Sequence, residues 1–265
     1  MGHLTLLDVF KERVSEHGDQ TALYTLSPKG KSFVSITYRE LDELSDRVAA
    51  GLHERGAKPG SKIGILSKPR PEFAASMIGA LKIGAIAVPL DPLLQAGEIQ
   101  RLLNACDVEA LISSGDHYEA ISDTAIPEFV VNMDEETSLD GTRKLSWQQF
   151  LVEGAVPPSQ SPQLEDLAVF LNTSGTTGDA KPVMLAHRNF SANISAVMER
   201  LEITHNDVIL SIAPWNHSFG LIVLMAVLWN GCKLIYTNDY ANLAKTMLDT
   251  KPTIVVAVPK LFHAM

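Results

Sequence analysis

Apolar runs of strand length alternate with stretches of helical period along nearly the whole chain, and this alternation restricts the fold to strands joined by crossover helices. Residues 62–66 (KIGIL) read as a strand, 71–83 as a helix opened by Pro71, 86–89 as a strand, 97–106 as a helix and 108–113 as a strand. The pattern resumes with helix 189–201, strand 208–212, helix 219–229, strand 232–236, helix 241–249 and strand 253–258. Ahead of it, 4–16 reads as a helix, and 21–26 and 32–36 as a hairpin turning at Pro28-Lys29-Gly30. Thr37 then opens a helix, with Glu40 three residues on completing a capping box. Right-handed crossovers gather such units into mainly parallel sheets flanked by helices, and ligands bind these sheets at the carboxyl ends of the strands. The expectation is an α/β fold of two β-α subdomains. Residues 153–166 (EGAVPPSQSPQLED) hold no periodic apolar positions, which puts the division between a first subdomain, 1–160, and an incomplete second, 161–265.

A net charge of −9 without a Lys/Arg cluster argues against a nucleic-acid surface, although one lysine and several amides suffice for a nucleotide. Cys106 and Cys232 are the two cysteines, in separate apolar contexts without zinc-ligand spacing, and read as buried free thiols of a reducing compartment. The acidic run Asp134, Glu135, Glu136 reads as a solvated turn, so no metal site is expected. The longest apolar run, 219–229, is shorter than the roughly 20 residues of a membrane span and fits a buried helix. No basic region followed by an apolar core stands at the amino terminus, so the expected compartment is the cytoplasm. The chain ends just after Pro259 opens what reads as another helix, so a fragment of a longer gene product is expected.

Residues 173–182, TSGTTGDAKP, follow the apolar run 167–171. Gly175 and Gly178 allow backbone N–H groups to converge on an anion, Thr173, Ser174, Thr176 and Thr177 add hydroxyl donors, and Lys181 supplies a neutralising charge. A strand emptying into such a loop is suited to phosphate. The spacing excludes a Walker P-loop, since Pro182 stands where Ser or Thr is required, and it excludes G-x-G-x-x-G.

The loop resembles the signature of the adenylate-forming superfamily, the acyl-CoA synthetases, adenylation domains and luciferases, with the pattern T/S-S-G-T/S-T-G-x-P-K-G. Residues 183–190 (VMLAHRNF), 81–92 (LKIGAIAVPLDP) and 35–52 (SITYRELDELSDRVAAGL) are similar to further segments of that family, so the likeness runs from near residue 5 to the end. It implies activation of a carboxylic acid, fatty or otherwise apolar, by ATP with Mg²⁺, and transfer of the acyl group to coenzyme A or a phosphopantetheine carrier protein. On this resemblance the 173–178 donors and Lys181 hold the phosphates. His187 and Arg188 anchor the helix after the loop.

A second segment, 214–220 (PWNHSFG), resembles the family's P-x-x-H-x-x-G. The likeness implies that His217 lies beside the acyl substrate and its adenylate, and that Trp215, Phe219 and Gly220 line the acyl pocket. Lys181 and His217 are thus the expected catalytic residues, and the two loops are expected to share a crevice. Ala180 and Pro182 depart from the family's proline and glycine, and Pro182 removes an N–H. The later Y-G-x-T-E and T-G-D segments and the lysine of a carboxy-terminal domain have no counterpart before Met265, so the chain alone is expected to be inactive. Two alternatives are an adenylation domain of a peptide or polyketide synthetase and a non-catalytic truncated homologue serving as a binding module.

Overall fold

The computed structural model describes residues 4–26, 32–122, 127–134, 143–153, 161–172 and 182–257. Along the chain the elements are α1 (Leu6–His17), β1 (Thr21–Leu26), β2 (Phe33–Thr37), α2 (Tyr38–Glu54), β3 (Lys62–Leu66), α3 (Pro71–Lys82), β4 (Ile86–Leu90), α4 (Ala96–Ala105), β5 (Ala110–Ser113), α5 (Gly115–Ser122), β6 (Phe129–Asn132), β7 (Lys144–Ser146) and α6 (Trp147–Phe150). They continue with β8 (Leu167–Asn172), β9 (Pro182–Ala186), α7 (His187–Met198), β10 (Val208–Ser211), α8 (Ser218–Asn230), β11 (Lys233–Tyr236), a 3₁₀ turn at Tyr240–Asn242, α9 (Leu243–Thr250) and β12 (Ile254–Val256). Two compact units form: Met1–Leu41 with Pro69–Pro71 and Arg188–Met265, and Asp42–Lys68 with Glu72–His187.

The second of these is built on a sheet ordered β7-β6-β5-β3-β4-β8-β9 among the described residues, parallel except for β9. Its strands are buried on both faces, as parallel sheets covered by helices require. Gly64 leaves room for the Leu111 side chain of β5, since a Cβ there would stand 2.9 Å from Leu111 Cδ1. Val88, Leu103, Leu111, Val130 and Phe170 belong to one core cluster, each such side chain contributing about 1.5–3 kcal/mol by leaving water. Helices α2 and α3 approach closely at Gly79, where a Cβ would lie 2.7 Å from Val48 Cγ1. Lys82, 6% exposed, joins them by donating to Asp42 and Asp46 at 2.6 Å each.

The other unit carries the sheet β12-β10-β11-β1-β2, parallel except for the β1–β2 hairpin. Thr37 and Glu40 form the anticipated cap: the Thr37 N–H donates to Glu40 Oε2 at 2.8 Å, and the Glu40 N–H donates to Thr37 Oγ1 at 3.2 Å. α8 is apolar around its circumference and largely buried, as its sequence demands. It stops at Gly231, whose φ of 74° a side chain would resist, and the Tyr38 hydroxyl reaches the Cys232 carbonyl at 2.7 Å beyond that stop.

This architecture is the expected α/β class, but its division differs from the split near residue 160. β8 pairs with β4 in the same sheet, and β1 pairs with β11, more than two hundred residues later. A polar segment such as 153–166 separates elements without separating sheets. Edge-to-edge hydrogen bonding between distant strands decides the units.

Candidate functional site

The phosphate-loop residues Thr173, Ser174, Gly175, Thr176, Thr177, Gly178 and Lys181 lie outside the described residues; both feet of the loop are described. β8 buries Ala168 to Leu171 and delivers Asn172 to one foot, while Pro182 opens antiparallel β9 at the other, directly opposite Asn172 in the ladder. The loop therefore spans a hairpin rather than a strand-to-helix step. β9 is an edge strand, the place in a sheet where a leading proline is tolerated. His187, nearly fully buried, starts α7 and donates its backbone N–H to the Asp166 carbonyl at 3.0 Å.

At the Asn172 foot, Cys106 Sγ donates to Asn172 Oδ1 at 3.3 Å. Burial pushes this thiol's pKa up, which keeps it a donor. The bond fixes the amide's direction, and Asn172 Nδ2 is left sealed from solvent without an acceptor. A buried orphan donor calls for an acceptor group.

The second segment follows β10. Ser211 Oγ accepts from the Ala213 N–H at 3.2 Å, the chain turns at Pro214, and the His217 N–H donates to the Pro214 carbonyl at 3.3 Å. Gly220 packs against that carbonyl so closely that a Cβ would fall 2.0 Å from the Pro214 oxygen. Glycine is thus required for the turn itself. His217 is the N-cap of α8, is exposed, and makes no side-chain cap. Phe219 is 46% exposed beside it. Trp215 differs from the expectation. It has no exposed surface and packs on Tyr236, with ring centroids 5.7 Å apart, so it supports the turn from within rather than presenting a wall to a substrate. Gly220 is likewise a backbone requirement more than a lining residue.

The model of the AMP-binding enzyme family matches residues 10–265, practically the whole chain. The chain belongs to the AMP-binding enzyme family. Among individual relatives it is 26% identical over 98% of its length to the cyclo-acetoacetyl-L-tryptophan synthase of Aspergillus oryzae, covering 6% of that protein. It is 27% identical over 99% of its length to 4-coumarate–CoA ligase 2 of Nicotiana tabacum, covering 49% of it. A solved structure of the anthranilate CoA ligase AuaEII in complex with anthranoyl-AMP superposes with a TM-score of 0.87 at 23% identity, over 99% of this chain and 51% of that one. The chain thus spans about half the length of the ligases it matches, and far less of the large synthase.

Within this member of the AMP-binding enzyme family two polar residues escape a motif reading. Asn172 stands one position before the recognised loop, and Asn216 lies inside PWNHSFG between the two residues that draw attention there. Asn216 is nine-tenths buried. Its only sequence signal is a polar residue beside a buried tryptophan.

Proposed function

We propose that this chain is the ATP- and acid-binding portion of an AMP-forming acid–thiol ligase. The family match over 10–265, together with the order of residues in TSGTTGDAKP, carries the reading. A carboxylate oxygen attacks the α-phosphorus of ATP, the bond to the β-phosphate breaks, pyrophosphate leaves, and an acyl-adenylate forms. A thiol of coenzyme A or of a phosphopantetheine carrier then attacks the acyl carbon, forming a thioester and expelling AMP. Because a carboxylate is a weak nucleophile, catalysis rests on positioning and on neutralising phosphate charge.

In this reading the amides and hydroxyls of Thr173, Ser174, Gly175, Thr176, Thr177 and Gly178 grip the phosphates, and Lys181 balances their charge. The unpaired Nδ2 of Asn172 at the loop's foot fits such an anion-binding role. Mg²⁺ accompanies ATP and supplies further charge neutralisation. His217, exposed at the start of α8, contacts the acid and its adenylate, and Phe219 lines the acyl pocket. An acid with an apolar body suits Phe219 and the apolar helix behind it.

The protein works in the cytoplasm, where both buried thiols remain reduced. Among the described residues no helix is long and apolar enough to cross a membrane. Elements beyond those in this chain complete the catalytic centre, so residues 1–265 alone turn over little or nothing. The match to a large synthase favours one second reading, an adenylation domain that serves a carrier protein.

The test is carboxylate-dependent exchange of labelled pyrophosphate into ATP by the natural gene product, over a panel of aliphatic and aromatic acids. Exchange with at least one acid is expected. Exchange with none contradicts the ligase assignment. Comparing coenzyme A with a phosphopantetheinylated carrier as acceptor separates the two readings.

A further inference from the structure

Most of α8 is buried. Beyond Ser218, the residues that keep some exposure are Phe219, Ile222, Val223, Ala226 and Asn230, at positions i, i+3, i+4, i+7 and i+11, which is one side of the helix. A helix side that meets water is ordinarily polar, and α4 obeys this with Arg101 and Asn104 exposed. The stripe on α8 has no polar side chain before Asn230. It begins at Phe219, 46% exposed, two residues after His217. At 1.5 Å of rise per residue it runs about 16 Å before Asn230 closes it. There the Asn230 amide donates to Met198 Sδ at 2.9 Å and to the Ala226 carbonyl at 2.7 Å, so the polar stop is held from α7 as well as from α8.

We propose that this stripe is the bed of the acyl chain, that the site takes straight-chain aliphatic acids of medium length, and that Ala226 and Asn230 set the limit. The inference rests on the ligase reading above and deepens it. The stripe starts where that reading activates the carboxylate, is as narrow as one side of one helix, and is apolar along its whole length. A linear methylene chain matches all three. An aryl acid meets Phe219 and leaves the rest of the stripe uncovered. A polar substituent placed between Phe219 and Asn230 finds no side-chain partner on that side of α8 and is costly to bury. Ala226, the smallest side chain of the stripe, leaves room for the chain one turn before the stop.

The experiment measures kcat/KM for pyrophosphate exchange by the natural gene product with butanoate, octanoate, hexadecanoate and benzoate. Octanoate should exceed butanoate by at least about tenfold, since each methylene leaving water favours binding about fourfold. Hexadecanoate and benzoate should both fall below octanoate. Ala226→Phe, which fills the bed, should bring octanoate to within about twofold of butanoate. Asn230→Ala, which opens the stop, should raise hexadecanoate against octanoate by at least about fivefold. The two substitutions move the length preference in opposite directions, so a general loss of stability, which lowers every rate alike, produces neither shift. A ratio unmoved in either variant overturns the proposal, as does a native preference for butanoate or benzoate over octanoate. Absence of exchange with every acid overturns the ligase reading instead, and is distinct because no ratio then exists.

Discussion

The hairpin foot at Asn172 and Pro182 and the turn between β10 and α8 are both stations on the proposed reaction, yet they are secured by different physics. At the foot, Asn172 and Pro182 close a ladder between β8 and the edge strand β9, and the Cys106 thiol bonds the Asn172 amide. The turn is fixed by contact: Gly220 against the Pro214 carbonyl, Trp215 sealed beneath, and an apolar helix behind. The turn between β10 and α8 is rooted in the core.

If that contrast is right, the turn breaks far more easily by substitution than the foot. Gly220→Ala forces a methyl group into a backbone oxygen, and should cost about 3 kcal/mol or more in urea unfolding while disrupting acid binding. A loss below about 1 kcal/mol would show that the turn can relax. At the foot, Cys106→Ala removes a small buried side chain and one weak bond, with an expected loss of about 1–2 kcal/mol, read by the same unfolding series. Its more telling effect is on Asn172, whose amide is freed to rotate, so the KM for ATP should rise while that for the acid stays put.

The smallest effect concerns pH. Cys232, just past the end of α8, donates Sγ–H to the Thr204 carbonyl at 3.0 Å, and burial pushes its pKa up from 9.0 to about 12. The unfolded thiol ionises first as pH rises, so this contribution is complete below pH 9 and is lost progressively toward about 12. Unfolding midpoints measured from pH 8 to pH 11 should fall more steeply for the native chain than for Cys232→Ala. Equal slopes would place the thiol within reach of solvent.

Local chemistry was legible in the sequence and long-range pairing was not. Thr37 and Glu40 announce a helix start, and the cap is present. Strands β1 and β3 fall on the expected residues, since their apolar runs are bounded by turn residues on both sides. Between 115 and 150 the sequence announces no helix or strand. α5 starts at Gly115-Asp116, and its cap comes from Asp134, which accepts the Gly115 N–H at 2.7 Å from nineteen residues away. β7 and α6 are too short to establish a period. The interleaving of the two units depends on which edges meet, and periodicity carries no information about that.

The site divides along the same line. The order of residues in 173–182 is a local signature that points to the family whose model matches the chain. The resemblance of PWNHSFG to a family segment implied Trp215 at a substrate wall, yet its complete burial is set by tertiary packing. The burial of Asn216 is likewise set by tertiary packing, which a polar letter in the sequence does not announce.

The most direct measurement is pyrophosphate exchange by the natural gene product carrying Lys181→Ala or His217→Ala, with the best acid from the panel. Lys181→Ala should lower exchange at least about a hundredfold, and His217→Ala should lower it or raise the KM for the acid with little change in that for ATP. Exchange unchanged by both substitutions would contradict the assignment of these two stations to acid activation.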